Sequence, residues 1–349
     1  MVAPGKEGPE FMEDVVYRNL GSSSRRLLVR PGKGFDNSVI SAGRGRVMIL
    51  TVDPVSAIPS FGMGLSAWLS VHLIASDYTT SGADPEFAAF SYNFPNGMGR
   101  VDREAYVRAI GGACKEIGVS IAAGHTGAYP GADFTVIGAG AMMGFASKSA
   151  YVDPSMAREG DVILMTKEAA IEATVSLALS FPAFVERSVG SRLARKARGS
   201  ARECTTVKDA RAARRVGLGR SGVTSMHDAT EGGVLGALEE MAAAADKRFL
   251  VDPGSVPVSP EARGVCGAFG IDPLTTMGEG SLIISCNPTA VGEVQRKLAE
   301  AGIKSSEIGK VKAGRGLWLE LGGNRSSRFV AGPDPYWLAY ERSLRRRLN

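Results

Sequence analysis

Residues 32–40 read GKGFDNSVI, a glycine-rich stretch that carries a single acidic residue. Gly32 and Gly34 allow backbone N–H groups to approach phosphate oxygens, and Asp36 offers a carboxylate to a divalent metal ion. Asn37 places a side-chain amide next to that carboxylate. The stretch lacks the G-x-x-x-x-G-K-[ST] spacing of the Walker A loop. It predicts a site for nucleotide phosphate, although a plain turn between two elements explains it about equally well.

Two further aspartates follow predicted elements. The apolar, β-branched stretch 46–52 predicts a strand, and Asp53 comes directly after it. Apolar residues at helical spacing over 63–75 predict a helix, and Asp77 follows that helix in an oxygen-rich segment. Oxygen ligands suit Mg²⁺, and α/β sheets bind ligands at strand ends. We therefore expect Asp36, Asp53 and Asp77 to bind Mg²⁺; the alternatives are a turn at Asp53 and a plain polar loop around Asp77.

A histidine lies in the segment GHTGAYP, residues 124–130, which follows another predicted strand. His125 is a candidate for phosphate contact or proton transfer, because its pKa is close to neutral pH. We expect the flanking Gly124 and Thr126 to contact the nucleotide. A purely structural histidine fits this position about equally well.

Two segments of the second half also carry polar residues near predicted elements. MHDATEGG, residues 226–233, predicts the start of a helix, with Asp228 or Thr230 as the cap. The free N–H groups of that helix start favour an anion. Residues 272–281 predict a turn before an apolar strand, and loop geometry alone explains them well.

Strands and helices alternate along both halves, which predicts an α/β or mixed α+β fold. Turn-forming residues near position 150 predict a boundary between two domains, 11–150 and 151–335. The first ten residues, 1–10, are polar and rich in Gly and Pro, and are interpreted as disordered or tag-derived. Residues 336–349 predict a basic C-terminal helix.

Composition narrows the class of protein. The 349 residues contain no apolar run of membrane-spanning length and no signal-peptide pattern, so we expect a cytoplasmic protein without membrane attachment. The four cysteines form no C-x-x-C pair, which argues against a zinc site and against disulfides. These features are typical of an ordinary folded protein in a reducing compartment.

Positive charge is concentrated in one segment. Residues 187–220 contain eleven Lys and Arg residues against Glu203 and Asp209. A solvated helical surface is the favoured interpretation, and a polyanion-binding face is the alternative. Nucleic acid is an unlikely partner, because aromatic residues do not alternate with these charges.

Taken in order, these segments resemble the AIR synthase and HypE superfamily from about Phe11 to Leu321. The family's G-x-G-D-D-A-A-V loop is similar to GKGFDNSVI, with Phe35 in place of the first acid. Its N-D-I-x-x-M-G-A-x-P segment is similar to SDYTTSGADP, with Ser76 in place of the Asn. AGHT is similar to the family's G-G-[DEH]-T segment. HDATEGG and GIDPLTTMGEGSL resemble the H-D-P-T-R-G-G and L-D-P-L-x-x-x-x-E-G-x-L segments of HypE.

The resemblance implies an N-terminal domain that forms a β-barrel across a homodimer interface, followed by a C-terminal α/β domain. It further implies ATP and Mg²⁺ bound between the glycine-rich loop and the acidic residues. The expected activity is phosphorylation or dehydration of a small or protein-bound acceptor, with His125, Asp228 and Glu231 as catalytic residues. Because no Cys follows Cys286, dehydration on a C-terminal cysteine in the HypE manner is not expected. The alternative is a non-catalytic nucleotide-binding scaffold of the same fold.

Overall fold

The computed structural model of the chain describes residues 5–322 and 325–348. Its first half contains a six-stranded sheet in the order β1-β2-β3-β6-β4-β5. The strands are β1 (Leu27–Val29), β2 (Ser38–Gly43), β3 (Arg46–Ser56), β4 (Phe87–Pro95), β5 (Ser120–Tyr129) and β6 (Val136–Ser147). β4 and β5 run parallel and are connected by helix α3 (Arg100–Ile117), whereas the other neighbouring strands are antiparallel.

Two long helices cover one face of this sheet. Helix α2 (Gly62–Thr79) is almost entirely buried, and it packs against α3 and the sheet. Glycines on β6 make room for it: a Cβ on Gly140 would lie 2.5 Å from Ile74 Cδ1. Helix α3 follows the N-cap residue Gly99 and ends at Gly118, whose φ of +83° suits a glycine.

The opposite face of the first sheet is open. Nine of the ten residues of edge strand β5 are exposed, and apolar side chains such as Val52, Ile121 and Val136 face solvent. The sheet runs from β1 to β5 without closing on itself. The expected barrel is therefore not formed within the described chain, because its two edge strands do not pair. A barrel across two subunits stays a prediction.

The second half contains a seven-stranded sheet in the order β13-β12-β9-β11-β7-β10-β8. Its strands are β7 (Val162–Thr166), β8 (Val223–Asp228), β9 (Arg248–Val251), β10 (Leu282–Cys286), β11 (Ser305–Lys312), β12 (Gly316–Glu320) and β13 (Ser326–Arg328). Every residue of β7, β8 and β10 is buried. Mixed sheets with helices in both halves confirm the predicted α/β (mixed α+β) class.

Short helices surround the second sheet. They are α4 (Ile171–Ser180), α5 (Pro182–Val189), α6 (Ser191–Gly199), α7 (Val207–Ala213), α8 (Gly233–Ala245), α9 (Pro260–Phe269), α10 (Val291–Glu300) and α11 (Pro335–Arg345). α11 corresponds to the predicted basic C-terminal helix. At the other end, α1 (Pro9–Phe11) continues in further helical turns to Asn19. Residues 1–4 of the segment interpreted as disordered or tag-derived lie outside the described residues.

The two halves share packing and charge contacts. Side chains from beyond position 150, among them Ile171 and Val207, belong to the same apolar core as the first-half helices. The guanidinium groups of Arg211 and Arg214 both form ion pairs with Asp84. Part of the basic segment 187–220 therefore connects the halves instead of facing solvent alone. The predicted boundary near residue 150 lies between the end of β6 and the start of β7, and it stays a prediction.

Two compositional expectations meet the structure here. The four cysteines are buried and free. Across residues 5–322 and 325–348, no helix combines the length and apolar character needed to cross a bilayer.

Candidate functional site

The glycine-rich loop packs against a helix of the second half. Gly34 has a φ of +78°, and a Cβ on it would lie 2.5 Å from the carbonyl oxygen of Glu240 on α8. An L side chain is disfavoured at this φ, and the space beside α8 is too small for one. The absence of a side chain therefore lets the loop bring Asp36 against the second domain.

Asn37 connects the same loop to the end of α2. Its Nδ2 donates to the carbonyl oxygen of Asp77 at 2.7 Å and to Thr80 Oγ1 at 2.9 Å. The helix that was predicted to end at Ala75 continues to Thr79, so Asp77 lies in its last turn rather than in a loop. Asn37 therefore contributes to the position of a second carboxylate besides its neighbour Asp36.

His227 occupies the centre of a group of carboxylates. Its Nε2 lies 3.4 Å from Asp36 Oδ1 and 3.4 Å from Glu240 Oε2. Its Nδ1 lies 2.7 Å from the carbonyl oxygen of Asp228, which fits a proton on Nδ1. Burial alone would lower the pKa of His227, but the Asp36 and Glu240 carboxylates raise it well above its usual value. An imidazolium therefore compensates part of the negative charge.

Four aspartates form an acidic cluster beside this histidine, three of them from the first half of the chain and one from β8. The acidic cluster consists of Asp36, Asp53, Asp77 and Asp228. Burial raises the pKa of Asp36 and of Asp53 to about 7; Asp228 adds to the increase at both, while His227 opposes it at Asp36. The same causes raise the pKa of Asp77 well above its usual value. Such a set is unfavourable without a compensating cation.

The polar atoms of the cluster fit a divalent metal ion. Asp36 Oδ2 and both carboxylate oxygens of Asp228 are buried without a hydrogen-bond partner among the described residues. Asp36 and Asp228 place carboxylate oxygens within 4.8 Å of each other. Unpaired buried oxygens of this kind are costly unless an ion or water binds them, and oxygen-rich sites suit Mg²⁺.

The segment before β10 adds a carboxylate that loop geometry does not explain. Glu279 is 1% exposed, and neither of its oxygens has a hydrogen-bond partner in the described part of the chain. Burial raises its pKa well above the usual value, with a further contribution from Asp228. Gly280 has a φ of +111°, and a Cβ there would lie 2.4 Å from the Glu203 carbonyl oxygen. The sequence signal for Glu279 was the Glu-Gly pair before an apolar strand, which the sequence analysis interpreted only as part of a turn.

The start of α8 differs from the prediction. Asp228 is the last residue of β8, and the N-cap of α8 is Gly232, which has no side chain to cap with. The predicted capping by Asp228 or Thr230 was therefore wrong, because strand and helix are separated by a further turn. Glu231 lies in that turn, and its Oε2 accepts a hydrogen bond from the backbone N–H of Lys6 at 2.6 Å.

Gly124, His125 and Thr126 lie elsewhere. Strand β5 continues to Tyr129, so the three residues are exposed within an edge strand rather than in a loop after it. His125 Nε2 lies 2.5 Å from the hydroxyl oxygen of Tyr129. Among the described residues, no hydrogen bond or ion pair connects His125 to the acidic cluster. A role for these three residues stays a prediction.

The two family departures have packing roles. Phe35, in place of an acid, packs against the core of the first half. Ser76, in place of an Asn, is fully buried, and its Oγ accepts a hydrogen bond from the backbone N–H of Thr206 at 2.9 Å. Neither residue supplies a charge to the cluster.

Comparison with known proteins agrees with this architecture. Residues 34–146 match the family model of the AIR synthase related protein N-terminal domain, and residues 158–321 match that of the C-terminal domain. Carbamoyl dehydratase HypE of Rhizobium leguminosarum bv. viciae is 26% identical over 320 residues, covering 86% of this chain and 87% of the relative. HypE of Bradyrhizobium diazoefficiens is 26% identical over 322 residues, covering 88% and 86%.

Solved structures show the same fold. A chain of a HypE-HypF complex superposes with a TM-score of 0.73 at 19% identity, covering 92% of this chain and 99% of that chain. HypE in complex with ATP superposes with a TM-score of 0.65 at 20% identity, covering 96% of this chain and 97% of that chain. AaThiL complexed with AMPPCP and TMP superposes with a TM-score of 0.69 at 14% identity, covering 94% of this chain and 100% of that chain. On the two family models, which together span most of the sequence, the chain belongs to the AIR synthase-related protein family.

Proposed function

We propose that the chain is an ATP- and Mg²⁺-dependent enzyme that phosphorylates or dehydrates a small or protein-bound substrate. The observation that carries the proposal is the buried acidic cluster, in which a first-half loop, a strand and a helix converge on a strand of the second half. Relatives named carbamoyl dehydratase HypE, and a HypE structure in complex with ATP, support this class of activity.

Asp36, Asp53 and Asp77 would bind the metal, with Asp228 as a further oxygen ligand. Bound Mg²⁺ would neutralise negative charge on the transferred phosphate, which is the main electrostatic requirement of phosphoryl transfer. The backbone of Gly32 and Gly34 would approach the phosphate oxygens from the loop, with the Asn37 side chain beside them. In this arrangement the two domains position the reactants, and little covalent chemistry is left to the protein.

Proton transfer would fall to carboxyl groups of the second domain. Burial raises the pKa of Glu279 well above its usual value, which favours the protonated carboxyl, the form that can donate a proton within the cleft. Asp228 and Glu231 line the same side. This assignment adds Glu279 to the catalytic residues expected from the sequence.

We also propose that the open face of the first sheet is a homodimer interface. The face carries exposed apolar side chains, among them Val52 (65% exposed) and Val136 (57% exposed). Contiguous apolar surface of this kind marks interaction sites. Gly124, His125 and Thr126 lie on β5 of this sheet, so dimerisation would cover them. Sedimentation of a Val52→Asp variant tests the interface: a dimer is expected for the parent chain and a monomer for the variant.

Thermal unfolding with ATP, ADP and AMP, each with and without Mg²⁺, tests the nucleotide site. A ligand that binds only the folded state raises the melting temperature, so ATP with Mg²⁺ should give the largest increase. Asp77→Asn should lose the Mg²⁺-dependent part of the increase. Asp102→Asn, which changes an exposed carboxylate on α3, is the matched control and should keep it. No increase with any nucleotide would contradict the proposal.

A non-catalytic nucleotide-binding scaffold is the second candidate, supported by the loss of an acid at Phe35. Such a scaffold would bind ATP with Mg²⁺, but it would neither transfer phosphate to an acceptor nor hydrolyse ATP. The polyanion-binding alternative is weaker, because Arg211 and Arg214 of the basic segment already pair with Asp84. RNA binding that falls steeply with salt would revive it.

A further inference from the structure

The segment near the N-terminus enters the cleft beside the acidic cluster. The backbone N–H of Lys6 donates to Glu231 Oε2 at 2.6 Å, and Lys6 Nζ donates to Glu240 Oε1 at 3.0 Å. Gly5 lies against the indole of Trp337, where a Cβ would be 2.6 Å from Nε1. We name Gly5 and Lys6 the strap. It is held by two acidic side chains of the second domain and one aromatic side chain of α11.

The ammonium group of the strap belongs to the same charge network as the candidate metal ligands. Glu240 accepts from Lys6 through Oε1, and its other oxygen, Oε2, lies 3.4 Å from His227 Nε2. That nitrogen lies 3.4 Å from Asp36 Oδ1. One carboxylate and one imidazole therefore separate the Lys6 ammonium from Asp36.

Charge in this network favours a protonated Lys6. Burial lowers the pKa of Lys6, but Glu240, Asp36 and Asp77 raise it well above its usual value overall. Burial raises the pKa of Glu240, whereas His227 and Lys6 lower it to about 2. The pair is therefore a full ion pair at neutral pH.

The strap is positioned so that it can leave. The Lys6 side chain is 55% exposed, and Lys6 is held by two hydrogen bonds, to which Gly5 adds its contact with the Trp337 indole. Segments with few buried contacts open locally at small free-energy cost. Lys6 Nζ pairs directly with Glu240, and the charges of Asp36 and Asp77, two of the candidate metal ligands, also act on it. The ammonium and a divalent ion at those ligands would repel each other across a partly desolvated cleft.

We infer that the strap is an internal counter-cation of the acidic cluster, which competes with the divalent metal ion and is released when the metal binds. This inference rests on the proposed function, because it takes the acidic cluster to be the metal site. It gives the strap a regulatory role: the chain's own lysine compensates part of the negative charge of the site until the metal replaces it.

Binding of Mn²⁺, followed by electron paramagnetic resonance without nucleotide at low ionic strength, tests the competition. Lys6→Ala should bind Mn²⁺ about tenfold more tightly than the parent chain, because the competing charge is gone. Lys6→Arg keeps the charge and should bind like the parent chain. Arg18→Ala is the matched control: it removes one positive charge from the same end of the chain, where Arg18 pairs with Asp14 in an exposed contact.

Hydrogen exchange at the Lys6 amide tests the release. That amide is bonded to Glu231 Oε2 and should exchange severalfold faster once Mg²⁺ is added. Equal or weaker Mn²⁺ binding by Lys6→Ala, or an exchange rate unchanged by Mg²⁺, would overturn the inference and leave the nucleotide site standing. Absence of Mn²⁺ binding in every variant would instead overturn the metal site of the proposed function, and the inference with it.

Discussion

The two sheets differ in how completely the chain covers them. In the second sheet, β7, β8 and β10 are buried at every residue. In the first sheet, α2 and α3 cover one face, while β5 and the apolar side chains beside it are exposed. The second sheet is therefore stabilised within the chain, whereas the first leaves apolar surface in contact with water, which would stabilise the fold only if the proposed dimer covered it. The acidic cluster lies where the two meet.

The largest expected effect comes from the covered sheet. Ile283 on β10 is fully buried, so Ile283→Ala removes apolar contacts and leaves a cavity. We expect a loss of about 3 to 4 kcal/mol in the free energy of unfolding, measured by urea denaturation. A loss below 1 kcal/mol would mean that the second sheet is less tightly packed than the structure indicates.

The next effect comes from the contact between the halves. Gly34→Ala introduces a Cβ at positive φ and 2.5 Å from the Glu240 carbonyl oxygen. We expect a destabilisation of about 2 kcal/mol, because the loop must move away from α8. Movement of the loop displaces Asp36, so the thermal shift with ATP and Mg²⁺ should also shrink. Gly43→Ala is the control, because Gly43 also has a positive φ but lies in open space. It separates the effect of backbone strain from the effect of the clash with α8.

A smaller effect is expected from pH. Burial, followed by Glu231 and Asp334, raises the pKa of Glu172 from 4.5 to about 8. Between these values the folded chain holds a proton that the unfolded chain has lost, so stability falls as pH rises from about 5 to 8. Glu172→Gln should flatten this decline by about 1 to 2 kcal/mol in unfolding measurements at the two pH values. An identical decline in the variant would assign it to other groups, with Asp36 and Asp53 the first to examine.

The smallest effect tests the open sheet. Val52 is 65% exposed in the single chain, so Val52→Ala should change the stability of a dilute monomer by less than about 0.5 kcal/mol. At concentrations where the chain associates, the same variant should weaken the dimer. If the monomer itself lost stability, the face would be covered within the chain and the contrast between the sheets would fail.

Much of the site could be predicted from local sequence. Asp36 lies in a glycine-rich turn, and Asp53 lies near the end of an apolar strand, so both carry a signal within a few residues. The sequence signal for the extension of α2 to Thr79 was weaker, because Ser76, Thr79 and Thr80 are residue types that are typical of loops. In the structure, Thr79 and Thr80 hydroxyls hydrogen-bond to carbonyl oxygens of the helix's last turn.

The rest depends on contacts between distant residues. The residues next to Glu279 in the sequence do not indicate that both of its oxygens are buried, with Asp228 as a neighbouring charge. Lys6 was set aside with its polar neighbours, since its partners Glu231 and Glu240 lie more than 200 residues away. His125 shows the converse: a segment with the local features of a site lies in an exposed edge strand. Local pattern identifies candidate groups, whereas tertiary pairing selects among them.

The glycines of β6 set the position of Asp77. A Cβ on Gly140 would meet Ile74, and one on Gly144 would lie 2.7 Å from the Tyr78 hydroxyl oxygen and 2.9 Å from the Asp84 carbonyl oxygen. Either methyl group would push α2 away from the sheet, and Asp77 would move with the helix. The geometry of the acidic cluster thus depends partly on the missing side chains of two glycines that lie some distance from it. In related chains, a larger residue at position 140 should therefore occur together with smaller ones at 74 and 90, the two side chains that a Cβ there would meet.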